Sequence, residues 1–299
     1  MKPAPFDYVQ VTSVAEALDA LAADPDQSKL LAGGQSLVPM MNFRLARPAV
    51  LIDINRADEL NGVARDGGRL RIGATTRHLQ LQNLGGDDAL SSLLRRAAVH
   101  IGHLPIRTVG TFGGSLAHCD AASEWCLVAR LLDAEISTAS RERGVRTIAA
   151  ENFFQSLFTT AMLPDEMLTA VALPLLDDQH HAGFVEFARR AGDFAIVSAA
   201  VLVRTVDGVI RTARVCLGGV SSVPFRSSAA EAVLLGQPWS EDGCAARVSA
   251  AAADAAATEV APTGDMHGSE DFRRDLVRAL VPRALAQAAD STRNRMRSR

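Results

Sequence analysis

The order of elements in this 299-residue chain predicts an α+β fold. Three observations carry that prediction. Strands and helices do not alternate as βαβαβ. A first αβ stretch passes into mixed strands and helices, then into a run of three strands followed by helices. Neither GxGxxG nor GxxxxGK[ST] occurs, so the Rossmann fingerprint and the P-loop are both missing. The pair Asp207-Gly208 between two apolar runs marks a β-hairpin in the last third of the chain.

Each element has a local reason. Ser13-Val-Ala-Glu16 reads as a capping box, with the stripe Val14, Ala17, Leu18 and Leu21 behind it and a stop near Asp24-Pro25. Ser28 to Ala32 is a short strand that runs into Gly33-Gly34. Ala49 to Ile54 is a buried strand, and Arg69 to Gly73 alternates as a half-buried one. Leu90 to Val99 and Trp125 to Leu132 read as helices. Glu135 to Thr138 and Met167 to Leu173 read as strands. The polar stretch Pro174 to Ala182 reads as a domain boundary, with His180 and His181 as surface linker positions. Strand-like runs follow at Phe184–Arg189, Ile196–Val206 and Val209–Leu217, then helices at about 226–236, 241–258 and 269–289. At roughly 150 residues per domain, the chain holds about two. They are set at 1–176, with subdomains of about 1–56 and 57–176, and at 177–290. The basic tail 291–299, with Arg293, Arg295, Arg297 and Arg299, reads as a solvated end.

Composition narrows the function. Apolar residues make up 48% and charged residues 22%, which excludes a disordered or collagen-like chain. A net charge of −3 argues against a nucleic-acid binder that works by bulk charge. Of 31 basic residues only Lys2 and Lys29 are lysines, which reads as coding bias. Cys119, Cys126, Cys216 and Cys244 contain no CxxC, so neither a zinc knuckle nor a ferredoxin-type cluster can be built from them. Free thiols in a reducing, cytoplasmic setting are expected, with no signal peptide and no membrane span.

Two segments carry chemistry. In Lys29-Leu-Leu-Ala-Gly-Gly-Gln-Ser-Leu37 a strand empties into paired glycines and then a hydroxyl. Glycine permits positive φ and close backbone approach, and successive amides form an anion nest. Arg107-Thr-Val-Gly-Thr-Phe-Gly-Gly-Ser115 has the same features, with Thr111 and Ser115 flanking Gly113 and Gly114. Two such loops suit a diphosphate held from two sides.

Ala32-Gly-Gly-Gln-Ser36 and Thr111-Phe-Gly-Gly-Ser115 resemble the two FAD loops of the medium, flavoprotein subunit of molybdenum hydroxylases, the carbon monoxide dehydrogenase and xanthine dehydrogenase family. The resemblance extends through Pro5-Phe-Asp-Tyr8, Pro39 to Leu45, Ala117 to Glu124 and Arg189 to Ala195. It implies a PCMH-type (vanillyl-alcohol-oxidase-like) FAD-binding domain of two α+β subdomains. A C-terminal three-stranded antiparallel sheet with helices would follow. It assigns noncovalent FAD to Ala32, Gly33, Gly34, Gln35 and Ser36, and to Thr111, Phe112, Gly113, Gly114 and Ser115. Lys29, Leu31 and Leu37 would flank the first loop. Ile101 and Gly102 would give backbone contacts, Glu124 an acidic group near the adenosine ribose, and Phe194 an aromatic near the isoalloxazine. The family pattern usually has Ile at 112 and an amide or acid at 115, and some relatives carry Tyr at 194.

The resemblance also implies partners. A large subunit with molybdopterin would hydroxylate substrate, and a small subunit with two [2Fe–2S] clusters would relay electrons to this chain, within a dimer of heterotrimers. No catalytic residue and no metal ligand set is assigned here. His100, His103 and His118 lack further ligands at matching spacing. Cys119 reads as a buried inert thiol and Asp193 as the cap of a turn. The competing classes are a self-contained FAD oxidase of the same fold and a flavin-free assembly protein. The substrate and the electron acceptor stay open.

Overall fold

The computed structural model describes residues 2–297, with side chains through Asp290. The expectation for the side chains of the basic tail 291–299 lies outside the described residues. In chain order the first elements are β1 Asp7–Gln10, α1 Val14–Ala23, β2 Ser28–Leu31, α2 Leu37–Asn42, β3 Val50–Asp53, β4 Val63–Asp66 and β5 Arg69–Gly73. Next come α3 His78–Gln82, α4 Ala89–Ala98, α5 Leu104–Val109, α6 Phe112–His118, α7 Glu124–Leu131, β6 Glu135–Ser140, β7 Gly144–Ala149 and α8 Ala150–Phe153. The rest are β8 Phe154–Ser156, β9 Thr159–Thr160, β10 Met167–Pro174, β11 His180–Phe187, β12 Val197–Val206, β13 Val209–Gly218, β14 Phe225–Arg226, α9 Ser228–Leu234, α10 Ala246–Glu259 and α11 Glu270–Arg297.

The chain divides into two compact units. The first holds Met1–Gln80, Leu104–Cys119 and Asp133–Pro174. The second holds Leu81–His103, Asp120–Leu132 and Leu175–Arg299.

The first unit contains a parallel three-stranded sheet, β1-β3-β2, and an antiparallel five-stranded sheet, β4-β5-β10-β6-β7. Ser13 caps α1 by accepting the Glu16 amide at 3.2 Å. Only half of the expected capping box forms, because the Glu16 carboxylate turns to the amide of Thr12 at 2.7 Å instead of that of Ser13. Ala17, Leu18 and Leu21 of α1 join Ile52 and Ile54 in a core that also takes Leu60 and Met167.

The second unit is built on the antiparallel sheet β11-β12-β13-β14. The three long strands match the predicted meander, and β14 adds a two-residue edge. Asp207 and Gly208 both take positive φ, 51° and 69°, as a type I′ hairpin turn requires. Val197, Ala199, Val201 and Val203 share a core with Val277, Val281 and Ala284 of α11 and Ala252 and Ala256 of α10. The alternate residues Ser198, Ala200 and Leu202 are buried too, and α7 packs on β12 and β13. A strand buried on both faces reads as a near-continuous apolar run, and Ile196 to Val203 is apolar at every position except Ser198. The linker reading of His180 and His181 is corrected. Strand β11 already begins at His180. His181 is buried, stacks on Trp239 and lies 3.1 Å from the Thr205 hydroxyl through Nε2. Local polarity suggested a loop, but strand pairing with β12 supplies the ladder that a loop lacks.

Close packing of β11 on α11 depends on Gly183, where a Cβ would sit 2.0 Å from the Ala284 carbonyl oxygen. Gly183→Ala is expected to destabilise the protein by about 1–3 kcal/mol, the usual range for overpacking, and a thermal melt checks it.

Candidate functional site

Strand β2 runs parallel to β3 and empties into Ala32–Ser36, so the first glycine loop leaves the carboxyl end of a parallel strand. That end is where open sheets with parallel strands form ligand clefts. Gly34 takes φ +67°, the left-handed region that favours glycine. Gly33 does not, and it is glycine for another reason. A Cβ there would lie 2.6 Å from the Val109 carbonyl oxygen and 2.7 Å from Gly110 Cα. The two segments therefore touch backbone to backbone. The Gln35 side-chain amide donates to the Gly33 carbonyl at 3.0 Å and folds the loop on itself. Among the described residues the amides of Gly33, Gly34, Gln35 and Ser36 have no acceptor in the chain. Four N–H groups of one turn thus remain for an anion.

The second segment differs from the loop that its sequence suggests. Thr111 is the N-cap of α6, and its hydroxyl accepts the Gly114 amide at 3.2 Å. The amide of Phe112 donates to Thr76 at 2.8 Å and that of Gly113 to Ala74 at 2.9 Å. These donors serve the fold, so the reading of a second anion nest is corrected. Phe112 is fully buried, and a Cβ on Gly113 would lie 2.7 Å from Ala74 Cα. Gly114 and Ser115 are what the segment presents outward.

Polar side chains tie the two segments together. Asn55 Nδ2 donates to the Ala32 carbonyl at 2.8 Å and to Asp53 Oδ1 at 2.6 Å. Arg77 donates to Asn55 Oδ1 at 2.7 Å through Nη2 and to the Val109 carbonyl through Nη1. Tyr8 donates its hydroxyl proton to Asp53 Oδ2. Burial opposes ionisation of Asp53, but the hydrogen bonds from Tyr8 and Asn55 outweigh it and hold the carboxyl below its ordinary value. Burial pulls the Arg77 guanidinium down, partly offset by Asp53. The imidazole of His78, next along the chain, is pushed down to about 4 by burial and then by Arg77 and Arg107. It is neutral at pH 7, and its ring fills the space that a side chain on Gly110 would need.

These elements enclose an open cavity of about 560 Å³. Of the residues singled out in the sequence, Lys29, Ala32, Gly33, Gly34, Gln35, Ser36, Leu37, Thr111, Gly114 and Ser115 line it. Leu31, Phe112 and Gly113 are not among its lining residues. Ile101, Gly102, Glu124 and Phe194 belong to the second unit. Ile101 is buried, Gly102 has φ +50°, and Phe194 is 67% exposed on a turn where Gly192 lies against the His103 ring. Glu124, in the first turn of α7, is buried. Its carboxyl is pushed up to about 8 by burial and then by the nearby Glu186. Glu186 in turn lies 3.3 Å from His100 Nδ1.

Residues 4–176 match the family model of the FAD-binding domain in molybdopterin dehydrogenase, and residues 182–288 match the carbon monoxide dehydrogenase flavoprotein C-terminal domain. The chain belongs to the flavoprotein subunits of the molybdenum hydroxylases. This flavoprotein is 41% identical over 295 residues to the 6-hydroxypseudooxynicotine dehydrogenase complex subunit alpha of Paenarthrobacter nicotinovorans, covering 98% of this chain and 97% of that one. It is 36% identical to the caffeine dehydrogenase subunit beta of Pseudomonas sp. (strain CBB1), with 97% of each chain covered. Among solved structures, carbon monoxide dehydrogenase from Hydrogenophaga pseudoflava superposes with a TM-score of 0.91 at 33% identity, covering 97% of this chain and 99% of that one. The flavoprotein is thus an oxidoreductase subunit with an FAD-binding domain. Among the described residues no helix is long and apolar enough to cross a membrane.

The sequence reading missed Tyr8, Asp53, Asn55, Arg77 and His78. A signal was present in Asp53-Ile-Asn55, two polar residues at the exit of a buried strand. Arg77 was hidden in the general excess of arginine.

Two outcomes follow from this geometry. Asn55→Ala removes the donor to the Ala32 carbonyl and the acceptor of Arg77 Nη2, and is expected to cost about 1–3 kcal/mol in a denaturant melt. The raised Glu124 carboxyl means that the folded chain holds a proton which the unfolded chain, titrating near 4.5, has already lost. Stability therefore falls as pH rises from about 4.5 to about 8. Glu124→Gln is expected to flatten that slope in a series of melts across pH.

Proposed function

We propose that this chain is the FAD-carrying medium subunit of a heterotrimeric molybdenum-containing hydroxylase. It would accept electrons from [2Fe–2S] clusters of a small subunit, while a large subunit with molybdopterin hydroxylates the substrate, and it would pass them to an external acceptor. The observation that carries the reading is the loop at Gly33–Ser36, which lines the cavity with Lys29 and whose four amides have no acceptor among the described residues. A turn opened by paired glycines, with unused donors and a lysine beside it, suits a diphosphate better than it suits a packed turn. The reading is supported by relatives aligned along almost their whole length. Those relatives are named as subunits of a dehydrogenase complex and of a caffeine dehydrogenase.

Bound FAD supplies chemistry that links one-electron and two-electron transfer. The work of this chain is to hold it without a covalent bond. The amides of Gly33, Gly34, Gln35 and Ser36 hold the phosphates, with Lys29 as counter-charge and Ser115 as a hydroxyl from the other wall. Leu31 and Leu37 shape the first loop, and Thr111, Phe112 and Gly113 fix the position of Gly114. Ile101, Gly102, Glu124 and Phe194 are proposed as further cofactor contacts. The FAD domain is assigned to 1–176 and the following domain to 177–290, in a dimer of heterotrimers in the cytoplasm.

The chain co-purified with its partner subunits is expected to be yellow and to release FAD on acid treatment; a colourless complex overturns the reading. Gly34→Val forces a branched side chain into a left-handed φ, 3.0 Å from Leu31 Cδ1. Gly114→Val displaces the Thr111 cap, whose hydroxyl oxygen is 2.6 Å from the added Cβ. Each is expected to raise the Kd for FAD by about ten-fold or more, the effect of roughly 1.4 kcal/mol of lost binding, read by titrating the flavin-stripped complex with FAD.

A further inference from the structure

The cavity has a second wall that the glycine loops do not explain. The hairpin of β8 and β9 turns through Leu157 and Phe158, with Ser156 paired to Thr159. Phe158 has φ +57°, a conformation in which a bulky residue is an outlier and glycine the natural choice. Its ring is nevertheless half exposed, so the strain is not compensated by burial of the side chain. Strain of this kind persists only where surrounding structure over-determines it, and it clusters at ligand sites. That structure is present. The Phe158 amide donates to the Cys119 carbonyl at 2.9 Å. The Cys119 thiol lies 3.3 Å and 3.4 Å from the carbonyls of Ser156 and Thr159 on either side of the turn. Cys119 itself ends α6 in a left-handed conformation. The buried thiol thus fixes the turn against α6.

The held ring has a specific neighbour. It stacks on His118 with centroids 4.8 Å apart and planes 28° from parallel. His118 stands one helical turn beyond Gly114 and Ser115 on α6, about 6 Å along the axis. Both rings line the cavity with the glycine loops. A stacked aromatic pair of this kind presents a flat, sequence-fixed face one turn away from the site proposed for phosphates.

We infer that His118 and Phe158 form a platform on which a planar heteroaromatic ring of the bound dinucleotide stacks. The inference rests on the FAD reading above. The two rings of FAD share this chemistry, and ADP and FMN tell them apart.

The test uses the full chain with its partner subunits, stripped of flavin and titrated with FAD, ADP and FMN. Phe158→Gly relieves the left-handed strain, so the melting temperature of the ligand-free protein is expected to stay level or rise. Its Kd for FAD is expected to rise by about five-fold or more, since aromatic stacking on a base contributes on the order of 1–3 kcal/mol. Phe158→Tyr, which keeps a ring, is expected to retain the wild-type Kd. Weaker ADP binding in Phe158→Gly with unchanged FMN binding identifies the ring as adenine; the reverse identifies it as isoalloxazine. A stable Phe158→Gly protein that binds FAD as the wild type does overturns the platform and leaves the FAD reading standing. A wild-type complex that binds no FAD overturns both.

Discussion

The site depends on one contact, the backbone of Gly33 against the backbone of Val109 and Gly110. No Cβ fits there, so two segments far apart in sequence meet at main-chain distance. Such an approach brings carbonyl dipoles close and needs a polar tie. Asn55 and Arg77 provide it, one holding the Ala32 carbonyl and bonded to the other, which holds the carbonyl of Val109. Asp53, fixed by Tyr8 and Asn55, supplies negative charge near the partly buried guanidinium. Each member of this chain is held by at least one hydrogen bond, so the network stiffens the wall of the cavity.

This arrangement divides labour between two segments that look alike in sequence. The loop after β2 keeps its amides unused, while the start of α6 commits its amides to Thr111, Thr76 and Ala74. A flexible nest gains anion affinity only if something rigid holds it open. The capped start of α6 is that rigid element, anchored at Ala74 and Thr76 just beyond β5. On the same helix, His118 and Cys119 carry the order onward to the β8–β9 turn. Cleft walls are thus set from one short helix whose residues alternate between buried support, as in Phe112 and Leu116, and cavity lining, as in Ser115 and His118.

The second unit follows a different physical rule. Its central strands are buried on both faces, so packing volume decides nearly every residue, and small side chains on α10 and α11 allow close helix approach. Gly183 under Ala284 is the extreme of that rule. Within this apolar frame Glu124 is an exception, a carboxyl kept protonated near neutrality by burial and by Glu186.

The sequence by itself determined the longer strands and helices, the Asp207-Gly208 hairpin, the apolar meander and the glycine pattern of the first loop, while the short elements, α6 among them, went unread. Each rests on local chemistry: periodicity, turn-forming residues and glycine freedom over a few positions. The paired motifs also identified the family, because a spaced pattern of glycines and hydroxyls is legible without coordinates. Tertiary structure decided the rest. His181 looked like linker, yet pairing with β12 and stacking on Trp239 buried it. Gly33 and Gly34 looked equivalent, yet one serves a positive φ and the other a close approach from a segment about eighty positions away. Gly113 and Gly114 looked like a second nest, yet the carbonyl of Ala74 took one amide and the hydroxyl of Thr111 the other. Asn55 gave only the faint signal of a polar residue at a strand exit, and Arg77 and Phe158 gave none. Their roles arise from bonds and stacking between segments distant along the chain, and only the folded backbone brings those segments together.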